Sequence, residues 1–481
     1  MTGPTFYWHD YETFGRVPRR DRPSQFAGIR TDADLNEVGE PLMQYCAPAP
    51  DTLPDPESCL LTGIVPQTCL AEGVPEHAFA ARIEAELAAP GTIGVGYNSI
   101  RFDDEVTRHL FWRNLIDPYA REWQNDCGRW DLLDTVRACW ALRPQGIEWP
   151  RHEDGRPSFK LEHLSAANGL LHEAAHDALS DVRATIALAR LVRTRQPRLW
   201  DFCLKLRRKD AVWAEIGTGR PFLHLSGMYG TERGGLAVVY PLAPHPTNRN
   251  ELIVWDCAHD PRELAGLTAQ DLRLRLFTRT EDLPEGVTRL PIKTVHVNKS
   301  PVVIGNLRIV DDATRERFGL DVEAALAHAR MAADLAPALE GAWKEAYARP
   351  APATPADVDE DLYGGFIGDA DRRRLQRLRT LSGEQLAQSR TAFDDPRLEE
   401  LLFRYRARNF PGTLSGPEQA RWVEHCGRRL HQGEGGTMTL ARFFETIDAL
   451  NETADERGQA LLEALYDYAE QIAPPLPEET P

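Results

Sequence analysis

Thr5-Phe6-Tyr7-Trp8-His9-Asp10-Tyr11-Glu12-Thr13-Phe14-Gly15 is the stretch on which the fold turns. Aromatic and β-prone residues fill it and Gly15 ends it, so it reads as a core strand that carries charge. Residues two apart in a strand share a face, which sets Asp10 and Glu12 side by side, roughly 7 Å apart at Cα. Two acids buried together repel and lose water, at several kcal/mol per ion unless cations compensate. A divalent metal is the simplest compensation. The alternative is an edge strand with a solvated acidic face.

Downstream, 25–31 and 42–46 read as two further strands, and three strands in succession suggest an antiparallel meander beginning a sheet. A short apolar turn at 60–64 is expected to stop at Pro66. The Ala-, Glu- and Leu-rich run 76–88 predicts a helix, followed by a strand over 92–95 and a Gly96-Tyr97-Asn98 turn. Phe102, Val106 and Leu110 then recur at helical spacing, placing Asp103 in a first helical turn beside a strand end. A helix is expected from Trp130 to Leu142 and an irregular helix start at 158–164. Another helix runs to about Arg195, with His176 in the loop or cap before it and Asp181 in its first turns.

Gln196-Pro197-Arg198 breaks that helix and the composition changes. Short β-like runs at 222–225, 235–240, 252–255 and 294–297 indicate a small β-rich domain with helical insertions. Ala348 to Pro355 has the composition of a stiff linker. Beyond it, 357–472 is helical in periodicity nearly throughout, and 474–481 is Pro/Glu-rich and expected to fray.

At 481 residues the chain is too long for one core, so about two to four domains are expected. The balance of 56 basic against 73 acidic residues gives −17, which argues against nonspecific coating of nucleic acid but permits local basic grooves. No apolar run approaches the ~20 residues of a membrane span. The first strand starts too early to leave room for a signal peptide. Eight cysteines without a C-x-x-C pair suggest neither zinc nor disulfides, and a cytoplasmic location fits.

Asp10, Glu12, Asp103 and Asp181 together offer four carboxylates, the donor set that two magnesium ions need when water and phosphate oxygens complete their shells, with manganese a substitute. Paired ions of this kind clamp the attacking and leaving oxygens of an in-line phosphoryl displacement. The expected reaction is phosphodiester hydrolysis, with His176 as the base because imidazole titrates near neutrality.

This acid-acid-acid-His-acid order resembles the DEDDh branch of the DnaQ-like 3′→5′ exonucleases. The stretches H-D-Y-E-T-F-G from His9, G-Y-N-S-I-R-F-D-D-E-V from Gly96, R-W-D-L-L-D from Arg129 and A-H-D-A-L-S-D-V from Ala175 are similar to bacterial exodeoxyribonuclease I. So are Y-G-G-F-I-G-D-A-D at Tyr363 and Y-R-A-R-N-F-P-G-T-L at Tyr405, and the matches span nearly the whole chain.

The resemblance implies an α/β multi-domain protein: a ribonuclease H-like mixed-sheet nuclease domain over 1–198, an SH3-like β-rich second domain over 199–350, and an all-α C-terminal domain over 356–473. It implies a magnesium-dependent enzyme that releases deoxynucleoside 5′-monophosphates from single-stranded DNA, serves repair and recombination, and binds the C-terminal tail of single-stranded-DNA-binding protein. A monomer is expected. By the same resemblance Asp10, Glu12, Asp103 and Asp181 are the metal carboxylates and His176 the general base, Glu12 also touching substrate. Where the family has Arg in P-S-F-R-L-E-H-L this chain has Lys160, which keeps the charge and loses bidentate phosphate geometry.

Arg108, Tyr119 and Trp123 are the further substrate-contact candidates, at the entrance groove. The run Phe403 to Phe410 interleaves cations and rings, which suits a single strand. It suits equally a helix whose arginines pair with neighbouring acids. Arg207 to Lys209 and Arg372 to Arg374 read as solvated faces. Two other functional readings remain: the same chemistry on RNA ends, and a binding scaffold with a vestigial site.

Overall fold

The computed structural model describes residues 4–170, 177–348 and 357–475. The chain divides into two compact units, one of Met1–Gly128, His172–Ile186 and Thr354–Pro481, the other of Arg129–Leu171 and Ala187–Ala353.

In the first unit β1 (Thr5–Thr13) pairs antiparallel with β2 (Pro23–Thr31), and β2 antiparallel with β3 (Leu42–Tyr45). The expected meander is therefore present. On its other edge β1 runs parallel to β4 (Thr92–Gly96), which makes the sheet mixed. The pleat sorts the strand's side chains. Tyr7 and Tyr11 face a core with Phe26, Phe79, Ile83, Val106 and Leu110 from β2 and the helices Glu76–Leu87 and Asp103–Arg113. Asp10 and Glu12 fall on the opposite parity with Phe6 and Trp8. Gly28 is required where β2 crosses Tyr7, because a Cβ there would meet the Tyr7 hydroxyl at 2.3 Å.

The C-terminal helices complete this unit. Phe14, at the end of β1, packs with Leu430, Leu440, Phe443, Ile447, Leu462 and Leu465. Trp112 and Leu115 pack with Leu362, Leu375, Leu398, Leu401 and Tyr405. The same unit also holds a buried ionic network. Asp51 accepts from Arg408 at 2.7 Å, Arg22 lies 3.4 Å from Asp359, and Arg404 bridges Asp357 and Asp359 at 2.8 and 3.2 Å.

In the second unit β5 (Gly128–Asp131) leads into the helix Leu132–Leu142, capped by the Asp131 carboxylate on Leu133 N. The helix expected from Trp130 thus starts two residues later, since Trp130 and Asp131 are extended. The β-rich region is a five-stranded antiparallel sheet of β6 (Phe222–Leu225), β7 (Leu236–Pro244), β8 (Glu251–Asp256), β9 (Ile292–His296) and β10 (Val302–Ile304), in the order β10-β6-β7-β8-β9. Phe222, Val239, Val254, Val295 and Val303 form its core with Val212 and Ile216 of the helix Lys209–Ile216.

The helices Pro56–Thr62 and Ala178–Arg195 end ahead of Pro66 and Pro197 as expected, and each proline then opens a helix of its own, Pro66–Glu72 and Pro197–Lys205, because a first helical position needs no N–H donor. The expected linker lies mostly outside the described residues. Among the described residues no helix is long and apolar enough to cross a membrane.

Burial alone pushes Asp51 and Asp359 upward, but Arg408 and the guanidiniums around it outweigh that and hold both carboxyls well below the usual range. A depressed folded-state pKa contributes stability that is complete above the unfolded value, about 4, and lost as pH falls through the folded one. Asp359→Asn is expected to lower unfolding free energy by about 3–5 kcal/mol at neutral pH, since it strands buried arginines. Its thermal midpoint should also fall less steeply than the parent's below about pH 4, which scanning calorimetry across that range checks.

Candidate active site

β1 carries Asp10 and Glu12 two residues apart, and its antiparallel register sets Glu12 opposite Gln25. The Gln25 carboxamide oxygen accepts from Ala178 N at 3.3 Å, tying the first residue of the helix Ala178–Arg195 to the sheet beside Glu12. Asp181 lies one turn further along. The Asp177 carboxylate accepts from Ser180 N at 3.1 Å and caps this helix. Oxygens of Asp10, Glu12 and Asp181 come within 4.8 Å of one another, and among the described residues no other group of three His, Cys, Asp or Glu does so.

Asp103 arrives from the far edge of β1. β4 ends at Gly96, where a Cβ would lie 2.5 Å from that of Ser99 and 3.1 Å from the His9 carbonyl oxygen. That tight approach lets the chain turn through Asn98, at φ 63°, into the helix starting at Asp103. The Asp103 Oδ1 accepts from Tyr11 N at 3.2 Å, between the two acids of β1. Thr107 fixes this arrangement, its hydroxyl donating to the Asp103 carbonyl at 2.8 Å and lying 3.0 Å from the Tyr11 hydroxyl.

Three carboxylates therefore meet, with Asp103 held beside them on Tyr11 N, and they resist meeting. Burial, then the charges of Asp103, Glu12 and Asp181, push the Asp10 carboxyl well above its ordinary range. Glu12 is pushed up to about 8 by burial and then by Asp181, Asp103 and Asp177. A hard-oxygen donor set whose own repulsion keeps protons on it suits divalent cations, which relieve the repulsion that creates the shift. Asp177 is a contributor that the sequence reading passed over. It stands in the same A-H-D-A-L-S-D run, but spacing alone did not separate a cap from an electrostatic neighbour.

His176 lies outside the described residues. The buried His9, next to Asp10, is held down to about 3 by burial and then by Arg121, so it is neutral near pH 7. It stacks on Phe26 across the sheet face away from the acids.

The other expected contacts are placed unevenly. Arg108 is 5% exposed, and its guanidinium donates to Glu122 at 2.7 and 2.9 Å, to Glu105 at 2.7 Å and to the Tyr363 hydroxyl at 3.1 Å. It presents no spare cation to a phosphate, because neighbouring acids already match its charge. The Tyr119 ring lies 5.4 Å from that guanidinium. Trp123 is 67% exposed. Lys160 belongs to the second unit, where its 62% exposed side chain lies 3.2 Å from Glu162. The run Phe403 to Phe410 takes the second of its two readings. Phe403 and Tyr405 are core, Arg404 and Arg408 join the buried network, and Arg406 pairs with Glu418 at 2.7 Å.

Comparison with known proteins completes the picture. Residues 7–189 match the exonuclease family, 207–349 the exonuclease I SH3-like domain and 356–472 the exonuclease I C-terminal domain. The exodeoxyribonuclease I of Escherichia coli strain K12 is 47% identical over 474 residues, which span 97% of this chain and 98% of the relative. This chain belongs to the exodeoxyribonuclease I family.

Solved members of the exodeoxyribonuclease I family share its fold along the whole length. Exonuclease I of Methylocaldum szegediense superposes with a TM-score of 0.92 at 48% identity, covering 98% of this chain and 99% of that one. E. coli exonuclease I in complex with a dA16 oligonucleotide gives 0.92 at 45%, covering 98% and 100%. Further structures are the zinc-bound E. coli exonuclease I–single-stranded-DNA complex, 0.90 at 45% covering 98% and 99%, and SSB/exonuclease I in complex with an inhibitor, 0.89 at 44% covering 98% and 100%. The architecture is thus an exonuclease domain with a mixed sheet, an SH3-like domain and a helical C-terminal domain, and the chain is an exonuclease.

A raised folded-state pKa contributes stability below the unfolded value that is lost as pH rises through the folded one. With divalent ions chelated, the thermal midpoint is therefore expected to fall between about pH 5 and pH 8, as Glu12 is forced to ionise. Glu12→Gln should flatten that slope, and magnesium should raise the midpoint of the parent but not of the variant. Differential scanning fluorimetry over a pH series reads all three.

Proposed function

We propose that the protein degrades single-stranded DNA from its 3′ end and releases deoxynucleoside 5′-monophosphates. The observation that carries this reading is the convergence of Asp10, Glu12 and Asp181 within 4.8 Å, with Asp103 hydrogen-bonded to the backbone between the first two. Asp10, Glu12, Asp103 and Asp181 would hold a pair of divalent cations, magnesium or in its place manganese. Such ions would supply positive charge to the phosphate group being cleaved.

The residues themselves do the rest. β1 fixes Asp10 and Glu12 at one spacing, so the incoming phosphate meets a prearranged charge pattern rather than one assembled on binding. Glu12 also borders the terminal nucleotide. His176, immediately before Asp177, takes the proton of the attacking water, a role suited to an imidazole titrating near neutrality. Tyr119, Trp123 and Lys160 serve as substrate contacts, with Arg108 holding Tyr119 and the Glu122 segment in place. The chain is read as three domains over 1–198, 199–350 and 356–473, the last two keeping the strand on the enzyme. The dA16 complex of the E. coli relative supports the substrate class. The SSB/exonuclease I structure supports the tail of single-stranded-DNA-binding protein as a partner of this chain as well. A monomer working in the cytoplasm on repair and recombination intermediates fits this activity.

A single-stranded oligomer labelled separately at each end decides polarity and product. The expected result is mononucleotides released from the 3′ label first, and 5′-first release would overturn the reading. Asp10→Ala and Asp181→Ala are each expected to cut turnover by at least about 10²- to 10³-fold while circular dichroism remains unchanged. His176→Ala should lower kcat and remove the acidic limb of its pH profile. An unchanged limb together with weakened magnesium binding would make His176 part of the metal shell instead.

A further inference from the structure

The acid-bearing face of the sheet continues past Glu12 into two side chains that the chemistry leaves unused. Strand residues in register share a face, so Glu12 of β1, Gln25 of β2 and Tyr45 of β3 stand in one row. Gln25 is 2% exposed, and Tyr45 is partly buried. The two ends of the row belong to different surroundings. Glu12 meets Asp10 and Asp181, whereas Tyr45 packs with a core that includes Phe14, Cys69, and Leu430, Leu440 and Leu465 of the C-terminal helices.

Gln25 joins those ends. Its carboxamide oxygen accepts from Ala178 N at 3.3 Å, and with that oxygen engaged its amide nitrogen is left to serve the Tyr45 hydroxyl, to which the side chain is hydrogen-bonded. Tyr45 is fixed in turn, since Val74 N donates to its carbonyl at 3.1 Å. Ala178 is fully buried, so its N–H, which has no acceptor within the helix, has no water to turn to either. Three residues on, Asp181 N donates to the Asp177 carbonyl at 3.0 Å. The height of Asp181 over β1 is therefore set within one helical turn of the contact with Gln25.

We infer that Gln25 is a positioning residue for the nuclease reaction, holding the helix start so that Asp181 closes the cation site on Asp10 and Glu12, and that Tyr45 fixes which way the Gln25 carboxamide points. This rests on the two-cation reading proposed above. A carboxamide turned the other way would set donor against donor at Ala178 N, and the helix start would withdraw from the sheet. Partners that orient metal ligands without binding the metal change metal affinity or activity by about 10- to 100-fold.

The test uses the full chain, with magnesium binding read by titration calorimetry on the DNA-free protein and kcat and KM read on a single-stranded oligomer. Gln25→Met keeps the length of the side chain and removes its polar groups. It is expected to weaken magnesium binding by about 10- to 100-fold and to lower kcat at subsaturating magnesium, with KM for the oligomer unchanged. Gln25→Glu should restore most of that affinity, since a carboxylate oxygen at the same reach still accepts from Ala178 N. Tyr45→Phe should shift magnesium binding in the same direction by a smaller factor. A Gln25→Met protein that loses thermal stability yet keeps the parent's magnesium affinity makes the residue merely structural and overturns the inference. A Gln25→Glu protein as weak as Gln25→Met does the same. If Gln25→Met does not fold, Tyr45→Phe decides, and the parent's affinity in that variant overturns the inference. A parent protein that binds no magnesium overturns the two-cation reading along with it.

Discussion

Everything at the active centre follows from a repulsion that the fold enforces. Asp10 and Glu12 share a strand face because a strand has no other geometry to offer residues two apart. Asp181 and Asp103 are then driven onto them, one by a helix stitched to Gln25, the other by a hydrogen bond to Tyr11 N. Each tether is modest, about 1 kcal/mol or so for a single neutral hydrogen bond, and more for the charged acceptor. Together with the packing of Tyr7, Tyr11 and Phe26 they hold four acids where isolated acids would separate. The site is consequently destabilising for the empty protein and complementary to multivalent positive charge.

The opposite arrangement occurs elsewhere in the same unit. Arg22, Arg404, Arg408 and Arg429 surround Asp51, Asp357 and Asp359 out of reach of water, and there opposite charges are matched rather than concentrated. Such a cluster contributes little net stability beyond what apolar side chains of the same volume would supply, but removing any one member is costly. It therefore acts as a registration device: the strand end, the loop at Asp51 and the helices Arg397–Asn409 and Gly416–Gln432 fit in one arrangement only.

The sequence was most readable where a single periodicity or spacing carried the information. β1 to β4, the helix beginning at Asp103 and the four acids follow from alternation, apolar spacing and the chemistry of repeated carboxylates. Long-range pairing was not readable. Nothing near Arg408 in the chain announces Asp51 as its partner, so the run Phe403 to Phe410 looked as much like a nucleic-acid surface as like the buried helix it is. The partners of Arg108 were hidden for the same reason, since Glu122 and Tyr363 reach it through the fold. β10 spans only Val302–Ile304, too short for any alternation to register. The helix Leu440–Asn451 did carry a cap at Thr439 and apolar positions Phe443 and Ile447, but the glycines at 433, 435 and 436 masked its start.

Phe14 follows directly on the strand that bears the first two acids, yet most of the buried side chains that pack with it come from Leu430 to Ala469, which are synthesised long after it. At about 5–20 residues per second, the nascent polypeptide carries that phenylalanine uncovered for tens of seconds. Completion of the core behind that strand end thereby waits for the helices Gly416–Gln432, Leu440–Asn451 and Glu456–Ile472, so a ribosome stalled before them leaves the strand end uncovered.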